Sequence, residues 1–213
     1  MEKNSEEFIY QKLKKAIVKG YIKQGTKLVE TALSKQMDFS RTPIRSAIRR
    51  LIYEGFATYE TNKGASVIKP TLEEIQETFF VRQQLEKAAA RLTAERITPA
   101  QIDHLQSYLD EEIRFFETRD IDAYYRVNDA IHLLIATASG NTVMVRYIEE
   151  LISRTKIYLI LFDPFQTMPF NPSSHEHQQV VDALKATDPA AAEKSMEIHL
   201  KSSYKGMKIP LIP

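Results

Sequence analysis

Phe39-Ser40-Arg41-Thr42-Pro43-Ile44-Arg45-Ser46-Ala47-Ile48-Arg49-Arg50-Leu51-Ile52-Tyr53-Glu54-Gly55 divides, when wound as a helix, into two faces of opposite chemistry. Ile44, Ala47, Ile48 and Leu51 follow the i, i+3, i+4, i+7 spacing of a stripe that packs on a core. Arg41, Arg45 and Arg49 recur every four residues on another face, beside Thr42 and Ser46. Ser40 stands at the N-cap position and Pro43 in the first turn, where a proline costs little because those N–H groups lack a helical partner. Three arginines with no acid between them repel one another, so the face needs either solvent or an anionic partner. A duplex fits that need, because a guanidinium fork matches phosphate oxygens and the O6/N7 edge of guanine.

The charge of the chain supports a basic partner-binding half. Residues 1–70 carry 14 Lys+Arg against 7 Asp+Glu, whereas residues 71–213 carry 15 against 21, although the whole chain nets only +1. With 213 residues there is room for one large or two small domains. Cysteine is absent, so disulfides are excluded and any metal must be held by nitrogen and oxygen. The longest apolar run, Ile157 to Phe162, falls far short of the roughly 20 residues a membrane helix needs. The expectation is a soluble cytoplasmic protein.

Upstream of the arginine stretch, Asn4 with Glu7 offers a capping box for a helix carrying Ile9, Leu13, Ala16 and Ile17 up to Gly20. A second short helix is expected from about Glu30 to Met37, with Leu33 and Met37 inward. Downstream, Phe56–Glu60 and Ala65–Ile68 are β-prone runs flanking Thr61-Asn62-Lys63-Gly64, whose Asn and Gly tolerate the positive φ of a hairpin turn. Helix, turn, helix and hairpin make a winged helix-turn-helix, with Lys63 at the wing tip near the DNA backbone or minor groove.

These residues resemble the DNA-binding domain of the GntR family of bacterial transcription regulators. The likeness rests on Leu28-Val29-Glu30, Ser40 through Ile48, Leu51 through Phe56, and Asn62-Lys63-Gly64 with Val67. It implies that Arg41, Thr42, Arg45, Arg49 and Gly64 meet an operator. Asp38 stands where the family usually has a turn glycine, and Thr31 where some relatives place a base-contacting arginine. Asp tolerates left-handed backbone, so the turn is expected to survive.

From Thr71 onward the pattern is helical, interrupted by a Pro-rich loop from Asp163 to Ser173. Thr71 with Glu74 opens a helix to about Arg96, and Thr98-Pro99 opens the next, with Ile102, Leu105, Leu109 and Ile113 at core spacing. Asp120 or Asp122 caps a third ending at Ser139-Gly140-Asn141, and a fourth runs from about Thr142 to Phe162. Ser174 opens a fifth, and Asp188-Pro189 a sixth that fades near Gly206. The chain is therefore mainly α: a winged helix-turn-helix over residues 1–70 and an antiparallel bundle of six helices over 71–213.

Asn128, His132, His177 and His199 stand out against this apolar packing. Asn128 and His132 are i, i+4 and share a face. Imidazoles converging inside a bundle are costly without partners, and a divalent transition metal satisfies several at once; a local hydrogen bond for each is the alternative. His175 is a second candidate ligand beside His177, and His104 lies among polar neighbours at the expected surface. Arg82 and Arg126 could fork a small carboxylate, with an Arg82–Glu86 i+4 pair as the competing use of Arg82.

Residues 71–205 resemble the FCD domain that defines the FadR subfamily, in its six-helix, VanR-like form. The matching runs are Val81-Arg82 with Leu85-Glu86, Asn128 through His132 then Ala138–Asn141, and Glu176-His177 with Asp182-Ala183-Leu184, Asp188 and His199. The resemblance implies a metal at Asn128, His132, His177 and His199, zinc first, with nickel or manganese as alternatives. The family's first ligand is an Asp; the neutral Asn128 donates more weakly, and Asp129, about 100° round the helix, is expected to face solvent. A repressor-type regulator is thereby expected, a homodimer on a near-palindromic double-stranded operator that responds to a small carboxylate effector. Two rivals use the same residues: a helical half that only dimerises, and a metal-dependent hydrolase with Glu176 as its base.

Overall fold

Tight turns and capping residues set the element boundaries in the computed structural model, which describes residues 2–162, 164, 165 and 167–209. The chain forms two compact units, Met1–Thr71 and Leu72–Pro213.

In the first unit, α1 (Glu2–Val18), α2 (Glu30–Met37) and α3 (Arg41–Tyr53) precede a hairpin of β1 (Ala57–Glu60) and β2 (Gly64–Val67). The stripe read from the sequence is the core: Ile44, Ala47, Ile48 and Leu51 of α3 are buried, as are Ile9, Leu13 and Ile17 of α1, on which α3 packs. Burial of each such side chain is worth about 1.5–3 kcal/mol. Leu33 and Met37 turn inward but remain half-buried, because α2 is too short to enclose them. Asp38 takes the left-handed conformation, φ 58°, and its N–H donates to the Ser34 carbonyl, so the turn forms without glycine.

Ser40 occupies the N-cap of α3 with extended backbone but makes no side-chain cap bond. α1 begins at Glu2, ahead of the expected capping box; the Asn4 side chain lies outside the described residues, and Glu7 accepts from Gln11 and Arg50. The hairpin pairs Ala57 with Val67 and Glu60 with Gly64, and its turn uses positive φ at Asn62 (69°) and Gly64 (81°).

The second unit contains α4 (Leu72–Ala94), α5 (Pro99–Glu117), α6 (Ile121–Ala138), α7 (Thr142–Phe162), α8 (Pro172–Lys185) and α9 (Pro189–Gly206). α4 packs on α6, α7 and α9, while α8 packs on α5 and α9. Thr98 and Gln101 form a reciprocal capping box on α5, with proline following the cap. α8 begins earlier than expected, because Asn171 rather than Ser174 supplies the cap, accepting from the Ser173 N–H at 3.1 Å, and Pro172 follows it. Ile113 is 46 % exposed, whereas Glu112 and Phe116 take the buried places beside Leu105 and Leu109. One apolar cluster joins Ala90 and Ala94 to Leu105, Leu109, Ile131, Ile135, Val180, Val181, Leu184 and Met196, so five helices share one core.

Candidate functional site

Two arrangements carry chemistry, one in each unit. In the first, the buried stripe of α3 fixes the opposite face outward: Arg41, Thr42, Arg45 and Arg49 are exposed and Ser46 half-exposed. Glu30, at the start of α2, takes two hydrogen bonds from Arg45, Nε and Nη2 each donating at 2.9 Å, and a third from Arg41 Nη2 at 3.4 Å. The bond from Arg45, with its positive charge, holds the Glu30 carboxyl below the usual range. Arg50 belongs elsewhere: its guanidinium lies 3.7 Å from the Tyr10 ring centroid and donates to Glu54 at 3.0 Å, locking α3 to α1. Between α3 and the wing lies a cleft of about 680 Å³ lined by Lys27, Glu30, Arg45, Arg49, Lys63 and Gly64. Lys63 at the tip pairs with Glu60 of its own hairpin, at 2.6 Å. This is a basic concave face built from a rigid helix and a loop whose glycine offers no side chain to obstruct a close approach.

In the second unit, α6 presents His132, α8 His177 and α9 His199, all buried. Nε2 of His199 is 3.1 Å from Nε2 of His177 and 3.3 Å from Nε2 of His132. Each ring turns its other nitrogen to a carboxylate. His132 Nδ1 donates to Glu86 at 2.5 Å, His177 Nδ1 to Glu112 at 3.0 Å, and His199 Nδ1 to Glu176 at 3.0 Å. An ionised carboxylate only accepts, which assigns the proton of each neutral ring to Nδ1 and leaves the Nε2 atoms of His132 and His177 facing that of His199. Burial pushes His132 down to about 4 and His199 well below its ordinary value, which keeps those two rings neutral. Burial also pushes Glu86 up, but Arg82 and His132 outweigh it and hold the carboxyl at about 2.

The family described as "Bacterial regulatory proteins, gntR family" matches residues 5–67, and the FCD domain matches residues 77–202. This chain belongs to the gntR family of bacterial regulatory proteins. It is 28% identical over 194 residues to the HTH-type transcriptional repressor RspR of Escherichia coli, covering 91% of this chain and 84% of that one. It is 25% identical to the HTH-type regulator YdhC of Bacillus subtilis, covering 93% and 89%. In fold it is similar to E. coli McbR/YncC, with TM-score 0.65 and 23% identity over 94% of this chain and 95% of that one. Lar of Listeria monocytogenes matches with TM-score 0.70 and 18% identity over the same shares. The relatives are transcriptional regulators, and regulators of this family bind DNA operators. Among the described residues no helix is long and apolar enough to cross a membrane.

The histidines of this gntR-family chain fit a metal. Donors that share an ion at about 2.0–2.1 Å stand roughly 2.9–3.4 Å apart, and the two closest Nε2 separations fall in that range. Nitrogen donors of three imidazoles suit zinc or another borderline dication better than a hard one. Among the described His, Asp and Glu residues the cluster is His132, His177 and His199, whose donor atoms lie within 4.8 Å of one another.

Asn128 is buried one turn before His132 and lines a cavity of about 80 Å³ with Tyr124, Tyr125, Phe165, Ser202 and Ser203. Asp129 does not face solvent as expected: α7 covers it, its side chain is 15 % exposed, and it accepts from Lys156 at 2.7 Å. His175 and His104 are exposed, and His175 bonds Gln179.

Arg82 is buried and makes the pair with Glu86, while its Nη1 donates to Thr155 at 2.7 Å; its Nη2 is buried with no hydrogen-bond partner among the described residues. Arg126 is exposed on α6, apart from the enclosed triad. Glu176, the base of the hydrolase reading, is engaged by His199. Sequence reasoning misses Glu30 and Glu112 as site residues. A signal for Glu112 exists: an acid at the i+3 place of the Leu105, Leu109, Phe116 stripe.

Proposed function

We propose that this chain is a ligand-responsive transcriptional repressor of the FadR subfamily, acting in the cytoplasm as a homodimer. A dimer sets two copies of α3 in successive major grooves, roughly 34 Å apart, and so reads a near-palindromic operator. Arg41, Thr42, Arg45, Ser46 and Arg49 face base edges and phosphates, and Lys63 with Gly64 approaches the backbone beside them. Repression, rather than activation, follows the repressor RspR among the relatives.

The effector is a small organic acid taken up beside a divalent metal. His132, His177 and His199 hold the metal, zinc first, with nickel or manganese as alternatives, and Asn128 is a weaker fourth ligand. When bound, the metal supplies open positions at which a carboxylate can replace water. The cavity at Asn128 gives the acid room. The unpaired Nη2 of Arg82 is a buried donor in want of an acceptor, and a forked bond to a carboxylate would satisfy it. Arg126 lies about 200° round α6 from Asn128 and is exposed, so it can meet an acid only at the surface. The acid acts on DNA binding by preferring one of two spacings of the recognition helices.

The observation that carries this reading is the convergence of three buried imidazoles, with Nε2 of His199 3.1 Å from that of His177 and 3.3 Å from that of His132. Elemental analysis of protein purified without chelator is the test. About one zinc, nickel or manganese per chain, lost in His132→Ala, supports it. Metal-free protein that still answers an acid would rule the metal out of sensing.

A further inference from the structure

The histidines are backed by carboxylates from three different helices. Glu86, Glu112 and Glu176 come from α4, α5 and α8, and each aims at the Nδ1 of one ring. Their surroundings differ. Glu86 has Arg82 as a counter-charge, and Glu176 is 14 % exposed with a bond from Ser202. Glu112 is fully buried, with both oxygens at 3.0 and 3.1 Å from the same His177 nitrogen. His177 is its one ion-pairing partner among the described residues, and a buried carboxylate is unfavourable without a cation nearby. Taken together, the three carboxylates face one guanidinium among the described residues, that of Arg82. With the three carboxylates ionised and the imidazoles neutral, the cluster is short of two positive charges, the charge of one divalent cation.

We propose that Glu86, Glu112 and Glu176 are the positioning residues of the metal centre, Glu112 chief among them, and that they supply from behind the rings the negative charge that Asn128 does not supply as a ligand. This rests on the metal reading above. Each carboxylate fixes its ring in the Nδ1–H tautomer, turns the Nε2 lone pair inward and raises its basicity. A ligand set of three imidazoles and an amide is neutral, so the attraction for a dication comes from this outer layer. The effector's own carboxylate then meets a centre whose charge is already balanced, which favours exchangeable binding.

The test is zinc affinity of the full chain, with zinc alone as the probe, measured by competition with a fluorescent chelator, beside melting curves of the metal-free proteins. Glu112→Gln keeps the size of the side chain and removes its charge. The expected result is a 10–100-fold weaker zinc affinity, with a metal-free melting temperature equal to or above the parent's, because the uncompensated buried charge is gone. Glu176→Gln, at a partly exposed site, weakens zinc at least about tenfold without cost to the fold. Parent-like zinc affinity in both variants would overturn the proposal. So would a loss of affinity matched by collapse of the metal-free Glu112→Gln fold, which would assign Glu112 to packing. A parent protein that takes up no zinc, nickel or manganese would overturn the metal reading itself, a distinct failure.

Discussion

Glu30 holds Arg45 through two hydrogen bonds of 2.9 Å, joining the first turn of α2 to the exposed face of α3. The bidentate contact fixes the plane of a side chain that would otherwise be free to sweep the groove, at the expense of occupying donors that DNA also wants.

Removing that carboxylate therefore has two opposite effects on DNA binding. In Glu30→Gln the α3 face gains a positive charge and Arg45 loses its fixed plane. Affinity for unrelated duplex rises, and the ratio of operator to unrelated affinity falls. Fluorescence anisotropy on both duplexes at one ionic strength measures the ratio; an unchanged ratio would mean Glu30 plays no part in specificity.

If Arg45 and Arg49 read base edges as proposed, Arg45→Ala and Arg49→Ala each cost about 1–3 kcal/mol on the operator. Lys63→Ala acts differently. A wing-tip ammonium that meets phosphate weakens operator and unrelated duplex alike and lowers the salt slope by about 1. Binding isotherms at several salt concentrations separate the two patterns.

The two units should fail separately. Leu51 is fully buried at the α1–α3 contact, and Leu51→Ala removes about 2–5 kcal/mol from the first unit. Operator binding is lost while zinc uptake by the helical unit persists. Anisotropy and metal analysis on the same preparation check this; joint loss of both would show that the units fold as one.

Acid should destabilise the metal-free protein through the triad. The folded His132 is depressed to about 4 by burial, whereas an unfolded histidine titrates near 6.5, so the unfolded chain binds the proton first as pH falls. Stability is full above about 6.5 and declines toward 4. Glu86, depressed to about 2, adds a loss of the same sign below its ordinary 4.5. Melting temperatures in chelator between pH 7.5 and 5 should fall, and His132→Gln should flatten that fall.

A residue's role is legible in the sequence where its neighbours along the chain are also its neighbours in space. The faces of α3 can be read because Ile44, Ile48 and Leu51 and the arginines separate at the helical period within 13 residues. Asp38 fits the turn for the same local reason, and Thr98-Pro99 marks a helix start. Asn171 escapes notice as a cap because the loop before it has no periodicity to mark where the helix begins. The histidines can be named but not their partners. Glu86 and His132 are 46 residues apart, Glu112 and His177 65, and nothing in one helix reveals which helix will face it. Glu112 is hidden further inside the acidic run Asp110-Glu111-Glu112, where two of three acids are on or near the surface and only the stripe position distinguishes the third. Asp129 looks solvent-facing because α6 alone, without α7 and Lys156, gives no sign that it is covered.

Coupling between the metal centre and the recognition helices is tested most directly by a DNA-shift titration of the zinc-loaded protein. The duplex is the region upstream of its own gene, and citrate, malate, lactate and acetate are added in turn. At least one acid should move the midpoint of the complex tenfold or more, with that response lost in His132→Ala while the complex itself still forms. A complex indifferent to every acid, or one that responds equally in His132→Ala, would show that the helical unit does not sense an acid through its metal.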